Sequence, residues 1–193
     1  MQQVFKVALP ILIVLMVALG WTIYTTSREV VSAAKILNPQ SENSRALIVW
    51  HPGKSNFPER IIMSFADGLT TNGWRVEMTT ASSQAPSDLA AYDLIVLGAP
   101  VYWAAPARPL TTYMTRLGDL QGKRTVILLT ASGNADEALR ATKSMVATAH
   151  GEIVEAITLY RWRPNREGDE GDNEAIGVEL AQQAARKINP SKH

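Results

Sequence analysis

The residues best suited to chemistry in this sequence are two adjacent aromatics, Tyr102 and Trp103, which stand between Pro100 and Pro106. Directly before them, Leu94–Leu97 is an unbroken aliphatic run, a pattern typical of a strand buried on both faces of a sheet. Open α/β sheets bind their ligands at the carboxyl ends of such strands. Because prolines stiffen a loop and aromatic rings offer a flat surface, the pattern predicts a site for a planar ring. The alternative is that both aromatics only cover the sheet edge.

Two further loops are predicted to lie at the same edge of the sheet. Loop 51–57 follows a predicted strand at Ala46–Trp50, and loop 130–134 follows another at Thr125–Leu129. Since the carboxyl ends of parallel strands share one edge, the three loops are expected to converge on one crevice. Asn134 has a second interpretation, as the residue that caps the start of the following helix.

Strand and helix patterns alternate along the rest of the globular part. The predicted strands are Ala46–Trp50, Trp74–Met78, Leu94–Leu97, Thr125–Leu129 and Ile153–Leu159. A helix opens at Pro58, with apolar residues from Ile61 at helical spacing. The apolar patterns from Leu110 and Ile176 and the segment Ala135–Ala149 predict three more helices. Regular alternation of this kind predicts an α/β fold with parallel strands and right-handed crossovers.

The segment Tyr92–Trp103, together with Pro106, Pro109–Leu110 and Leu120–Lys123, resembles the flavodoxin-like family of FMN proteins. The resemblance covers the chain from about Arg45 to Trp162. It implies a three-layer, doubly wound sheet of five parallel strands in the order 2-1-3-4-5. In that family the first loop holds the FMN phosphate, and the other two flank the isoalloxazine ring. The implied FMN contacts here are Lys54, Ser55, Asn56, Pro100, Val101, Tyr102, Trp103, Ser132, Gly133 and Asn134.

The first loop departs from the family's phosphate-binding pattern of Ser/Thr, any, any, Thr, Gly, Asn, Thr. Of that pattern only Asn56 is retained, Ser55 stands in the glycine position, and Phe57 replaces a hydroxyl residue. Two interpretations of this loop have nearly equal weight. Either Lys54 and His51 compensate with positive charge, because a lysine can hold a phosphate without hydroxyls, or the loop has lost its ligand.

An almost wholly apolar segment, Val7–Tyr24, stands near the start of the chain. At about 1.5 Å per residue, a helix of this length spans the roughly 30 Å hydrocarbon core of a bilayer. Trp21 and Tyr24 stand where an interfacial aromatic belt is expected. The segment therefore predicts an uncleaved, single-pass anchor in contact with lipid. The competing interpretation is a signal peptide cleaved near Val31–Ala33.

These patterns divide the chain into an anchor (1–26), a connector (27–44) and a flavodoxin-like domain (45–193). Within the connector, Glu29–Leu37 favours a helix that ends before Pro39. Basic residues after the apolar segment outnumber Lys6 before it, and the positive-inside rule then places the globular part in the cytoplasm.

Composition excludes several classes of function. The 19 basic and 18 acidic residues give a formal net charge of +1 and form no basic run, which argues against a nucleic-acid partner. Near-neutrality also argues against a freely diffusing electron shuttle, which would need charge for steering. With no cysteine there is neither a disulfide nor thiol catalysis. The 3 histidines lack the spacing of metal ligands, so no metal site is expected, and no residue stands out as a catalytic acid or base.

Two functions are consistent with the sequence. The first is a membrane-anchored flavoprotein that transfers electrons to or from a quinone or a membrane redox complex. The second is a flavin-free accessory subunit of a larger respiratory or photosynthetic membrane complex, because an emptied site on a common scaffold is an ordinary outcome. An NAD(P)H-dependent quinone reductase in the cytoplasm ranks third, since nothing in the sequence marks a nicotinamide site.

Overall fold

The computed structural model describes residues 2–41, 44–168 and 171–190, with the backbone alone for 2–8. The first element is a long helix, α1 (Gln2–Ser27). Its segment Leu9–Ser27, 19 residues with a mean hydropathy of 1.9, is long and apolar enough to cross a membrane. A signal sequence has the same properties, so α1 is consistent with both interpretations of the apolar segment. The side chain of Lys6, used above for orientation, lies outside the described residues.

The connector after α1 is extended and lies along the sheet, so the predicted helix at Glu29–Leu37 is wrong. Residues 28–34 have no regular structure, and Lys35–Leu37 forms a short strand, β1, antiparallel to β3 (Arg75–Thr80). Glu29 Oε1 accepts hydrogen bonds of 2.7 Å from both the N–H and the hydroxyl of Ser83. Pairing with the edge of the sheet satisfies backbone groups that a helix would have satisfied internally. The predicted division into anchor, connector and domain stays a prediction.

A single sheet forms the centre of the globular part. Besides β1 and β3 its strands are β2 (Arg45–Trp50), β4 (Leu94–Tyr102), β5 (Ala105–Pro106), β6 (Arg124–Ala131) and β7 (Glu152–Tyr160). The order is β1-β3-β2-β4-β6-β7, with β5 paired to β4. The strands from β3 to β7 in this order are parallel to one another. The predicted sheet of five strands differs from the described one, which has seven. The connector and the segment after β4 each add a short antiparallel strand.

Helices cover both faces of the sheet and create two separate cores. The helices are α2 (Phe57–Thr71), α3 (Arg108–Leu117), α4 (Asp136–Thr148) and α5 (Asn173–Arg186). On one face, α2 and α5 pack on alternate residues of β2, β4 and β6. On the other face, α3 and α4 pack on the intervening residues of the same strands. These three layers are those of a doubly wound α/β fold.

Strand β4 continues through the segment that the sequence pattern assigned to a loop. Pro100, Val101 and Tyr102 belong to the strand, although only Leu94–Leu97 was predicted. A proline is tolerated here because β2 ends opposite Gly98, so no neighbour on that side needs an N–H from residue 100. Beyond this point β4 folds back on β5 in a tight hairpin.

Candidate functional site

A cleft of about 310 Å³ opens where the parallel strands end. We call this end of the sheet, where β2, β4, β6 and β7 finish, the carboxyl edge, and the cleft the edge cleft. Its volume is at the lower end of the range for small-molecule sites, roughly 300–1,000 Å³. The residues that line it are Lys54, Ser55, Phe57, Pro58, Pro100, Val101, Tyr102, Thr130, Ala131, Ser132, Arg161 and Trp162.

The structure brings together six of the ten residues expected to contact FMN. Those that line the edge cleft are Lys54, Ser55, Pro100, Val101, Tyr102 and Ser132; those that do not are Asn56, Trp103, Gly133 and Asn134. Asn134 is turned towards its own helix, because its Oδ1 accepts a hydrogen bond of 2.9 Å from the N–H of Asp136. Binding of FMN by the six stays a prediction.

The loop after β2 is closed onto the end of β4. The N–H of Lys54 donates to the hydroxyl oxygen of Tyr102 at 3.1 Å. Gly53 has a φ of +73°, and a Cβ there would lie 3.0 Å from both Pro100 Cγ and Tyr102 Oη. Only glycine allows this approach at low cost. One backbone donor of the loop is therefore engaged by a side chain of the protein.

The amino terminus of α2 adjoins the edge cleft and carries unpaired backbone donors. In the described part of the chain, the N–H groups of Ser55, Asn56 and Phe57 donate to no protein acceptor. The helix has no side-chain cap at Asn56. Such donors, with the positive end of the helix dipole, are what binds a phosphate at a helix start.

Phe57, which replaces a hydroxyl residue of the family pattern, is turned into the core. Its side chain is 2% exposed and packs in the cluster beneath α2 and α5. Gly177 of α5 lies beside the ring, where an added Cβ would be 3.4 Å from Phe57 Cζ, an ordinary packing distance. The substitution therefore removes a hydroxyl from the loop but leaves the backbone donors in place.

Thr130, a residue that the sequence did not single out, lies at the other side of the edge cleft. It is the penultimate residue of β6, its side chain is buried, and its Oγ1 has no hydrogen-bond partner. An unpaired buried hydroxyl costs roughly 1–3 kcal/mol. A polar atom of a ligand in the edge cleft would remove this cost after rotation of the Thr130 side chain, because Oγ1 itself is fully buried.

The loop after β7 supplies Arg161 and Trp162, which the sequence analysis did not assign to the site. Trp162 is 74% exposed, and Arg161 Nε lies 2.7 Å from Glu174 Oε1. Asn165 and Asn173 hold this loop through several bonds, including 2.7 Å from Asn165 Nδ2 to the carbonyl of Tyr160. Asp169 and Glu170 of the same loop lie outside the described residues.

Trp103 is placed at the tip of the β4–β5 hairpin instead of against the edge cleft. Its side chain is 75% exposed, and Val101 and Tyr102 pair with Pro106 and Ala105, which leaves Trp103 and Ala104 as the turn. Both turn residues have positive φ, +52° and +61°. Two-residue hairpins favour this conformation, but they normally use Asn-Gly or similar pairs for it.

His51 lies on the far side of Lys54, beside α1. It lines a second cavity of about 380 Å³ together with Trp21, Tyr24 and Arg28. Its side chain is buried and its Nδ1 has no partner. Burial, with a smaller effect from Arg28, lowers the pKa of His51 from 6.5 to about 4. The imidazole is therefore neutral at pH 7 and gives no positive charge to a phosphate, contrary to one alternative in the sequence analysis.

Comparison with solved structures identifies the fold. The two-electron reduced flavodoxin of Megasphaera elsdenii has a TM-score of 0.58 at 18% identity, covering 74% of this chain and 99% of that one. An azoreductase from Bacillus anthracis str. Sterne has 0.57 at 15% identity, covering 75% and 100%. An NAD(P)H:quinone oxidoreductase from Methanothermobacter marburgensis has 0.52 at 17%, covering 78% and 99%. No protein-family model and no curated protein matches the sequence. The likeness establishes a flavodoxin-like fold.

Proposed function

We propose that this protein is a membrane-anchored, FMN-binding electron-transfer protein. The observation that carries the proposal is the edge cleft, which combines unpaired N–H groups at the start of α2 with the unpaired hydroxyl of Thr130. A phosphorylated ligand with a polar ring edge would satisfy both ends. The cleft lies at the carboxyl edge of a flavodoxin-like sheet, which is where such sheets bind ligands.

The residues of the edge cleft fit FMN both at its phosphate and at its ring. Ser55, Asn56 and Phe57 would hold the phosphate through backbone N–H groups, with the exposed Lys54 beside them. Thr130 would donate to, or accept from, the ring edge, and Tyr102 would lie beside it. When bound, flavin supplies one- and two-electron redox chemistry.

The chain's own part in the chemistry is to hold protons and limit access to water. Burial raises the pKa of the Tyr102 phenol, and the hydrogen bond from Lys54 N–H only partly offsets this. Tyr102 therefore stays protonated at neutral pH, with a hydroxyl proton free to donate. We propose that electrons pass to or from a quinone or a redox complex in the membrane, and that the globular part is cytoplasmic.

Flavin titration of the full chain in mild detergent tests the proposal. The purified protein is expected to be yellow, with the flavin absorbance near roughly 450 nm, or to quench the fluorescence of added FMN. Ser55→Glu places a negative charge at the start of α2 and is expected to weaken FMN binding about tenfold or more. Ser144→Glu, on the exposed face of α4, is the matched control and should bind as the parent does. A colourless protein that ignores added FMN contradicts the proposal.

A second candidate function, a flavin-free accessory subunit, is favoured by one specific contact. The bond from Lys54 N–H to Tyr102, with the close approach of Gly53 to Pro100, closes the loop without a ligand. If this function is correct, extraction in mild detergent yields the protein only with partner subunits, and the preparation contains no flavin. Isolation as a lone yellow monomer rejects it.

A further inference from the structure

The carboxyl end of α1 joins the globular part at the carboxyl edge of the sheet. Thr26 is buried there, and Tyr24 and Arg28 share a cavity with His51 and Lys54 of the loop after β2. Lys54 also lines the edge cleft, so α1 and the cleft adjoin the same loop. If α1 spans a bilayer, the carboxyl edge is the part of the domain nearest to the lipid.

The exposed tryptophans lie at this same end of the molecule. Of the 5 tryptophans in the sequence, Trp21, Trp103 and Trp162 are exposed by 67%, 75% and 74%. They stand on three different elements: α1, the β4–β5 hairpin and the loop after β7. Trp74, which precedes β3 at the opposite edge, is fully buried. Exposed tryptophan is costly in water and is enriched at the interface between lipid and water.

The hairpin projects beyond its neighbours. The last parallel pair of β4 is Pro100 with Thr130, and the strand continues through Tyr102 before the turn. Since β6 and β7 end one pair further on, at Ala131 and Tyr160, Trp103 extends roughly 7 Å past the end of the sheet at about 3.3 Å per residue. This reach suits a side chain that inserts among lipid headgroups.

Exposed basic residues share a cavity or a chain segment with each of these tryptophans. They are Arg28 after α1, Lys54 beside the edge cleft, Arg108 after the hairpin and Arg163 after Trp162. Juxtamembrane basic residues are attracted to an anionic membrane surface. Tryptophan with arginine or lysine is the composition of an interfacial surface.

We propose that the carboxyl edge docks on the lipid surface through Trp103 and Trp162, so that the edge cleft opens at the membrane interface and not into bulk water. The inference rests on the membrane anchoring in the proposed function but not on FMN. Its consequence is that the partner of the cleft reaches it along the membrane. A molecule dissolved in the bilayer can enter, whereas the approach of a large water-soluble protein is blocked.

The absence of cysteine allows a direct test with single spin labels on the full chain in vesicles that contain anionic lipid. Ala104→Cys places the label at the hairpin tip. Glu152→Cys places it on an exposed residue at the opposite edge, where β7 begins. Power saturation then compares the access of lipid-soluble oxygen with that of a water-soluble nickel complex at each label. The ratio of oxygen to nickel access is expected to be several-fold higher at position 104 than at position 152.

Adding Trp162→Ser to the Ala104→Cys protein is expected to lower the ratio at position 104, because one of the two insertions is lost. Equal ratios at positions 104 and 152, in protein that floats with the vesicles, overturn the docking while leaving the anchor intact. Failure to float overturns both the docking and the anchor. FMN binding is measured separately, so loss of the flavin proposal does not affect this result.

Discussion

At the turn of the β4–β5 hairpin, Trp103 and Ala104 adopt a left-handed backbone conformation without glycine or asparagine. Such a conformation costs an L-residue about 1–2 kcal/mol, because Cβ approaches the carbonyl oxygen. The pairs of Val101 with Pro106 and Tyr102 with Ala105 hold the turn in place. Strain kept at an exposed aromatic tip is consistent with a functional role for Trp103.

Ala104→Gly is expected to raise the free energy of unfolding by about 1 kcal/mol, because glycine adopts a positive φ without the steric cost. Chemical denaturation in detergent measures the change. The matched control is Ala105→Gly, one residue further on in β5, which should lower stability by about 0.5–1 kcal/mol. Destabilisation by Ala104→Gly would show that the turn carries no strain.

His51 links stability to pH. Its pKa is lowered to about 4 in the folded protein, so between about pH 6.5 and pH 4 the unfolded chain binds a proton that the folded protein does not. The free energy of unfolding should therefore decrease as the pH falls through this window, by about 3 kcal/mol at most, and stay level above it.

Denaturation curves between pH 4.5 and pH 7.5, a range chosen from these pKa values, measure the effect of His51. The variant His51→Gln should show a smaller slope. Ser144→Gln is the control, because it changes an exposed, non-titrating residue of α4 and should keep the slope of the parent. An unchanged slope in His51→Gln would contradict the assignment.

Among the secondary-structure elements, helices α2 and α5 pack directly against each other on one face of the sheet. Gly68 makes this packing possible: a Cβ at this position would lie 2.6 Å from the carbonyl oxygen of Gln182 and 2.7 Å from Ala185 Cβ. Replacement of glycine by alanine inside a helix normally stabilises by about 1 kcal/mol. Here the close approach is expected to reverse the sign.

Gly68→Ala should lower the free energy of unfolding by roughly 1–3 kcal/mol, because α5 must move away from α2. Its control is Gly20→Ala in α1, where an added Cβ meets nothing within 4 Å and stability of the globular part should not change. Stabilisation by Gly68→Ala would indicate that the two helices separate without cost.

Most of the helices and long strands could be predicted from the sequence at this scale. The apolar residues of α2, α3 and α5 recur at helical spacing, and the aliphatic runs of β2, β4 and β6 read as buried strands. Strand β1 and the extension of β4 were missed for one reason. Both depend on pairing with a neighbour that is distant in sequence or follows a turn, and local periodicity does not record such pairing.

Over the whole molecule, one long apolar helix meets the carboxyl edge of a flavodoxin-like sheet. The loop after β2 contacts both, through His51 on the side of α1 and Lys54 on the side of the edge cleft. An anchor attached elsewhere would leave the cleft open to water. Because α1 and the edge cleft adjoin the same loop, the proposed electron transfer would take place close to the membrane surface.

Local chemistry in the sequence was enough to predict an apolar helix, an α/β fold and the three loops that meet at the carboxyl edge, because these follow from hydrophobic periodicity and turn residues. Tertiary structure decided which side chains line the site. Trp103 is held away from the edge cleft by the hairpin, the Phe57 ring packs into the core beneath α2 and α5, and Thr130 and Trp162 line the cleft. The direction of a side chain at a strand end depends on contacts made across the fold, which no local pattern contains.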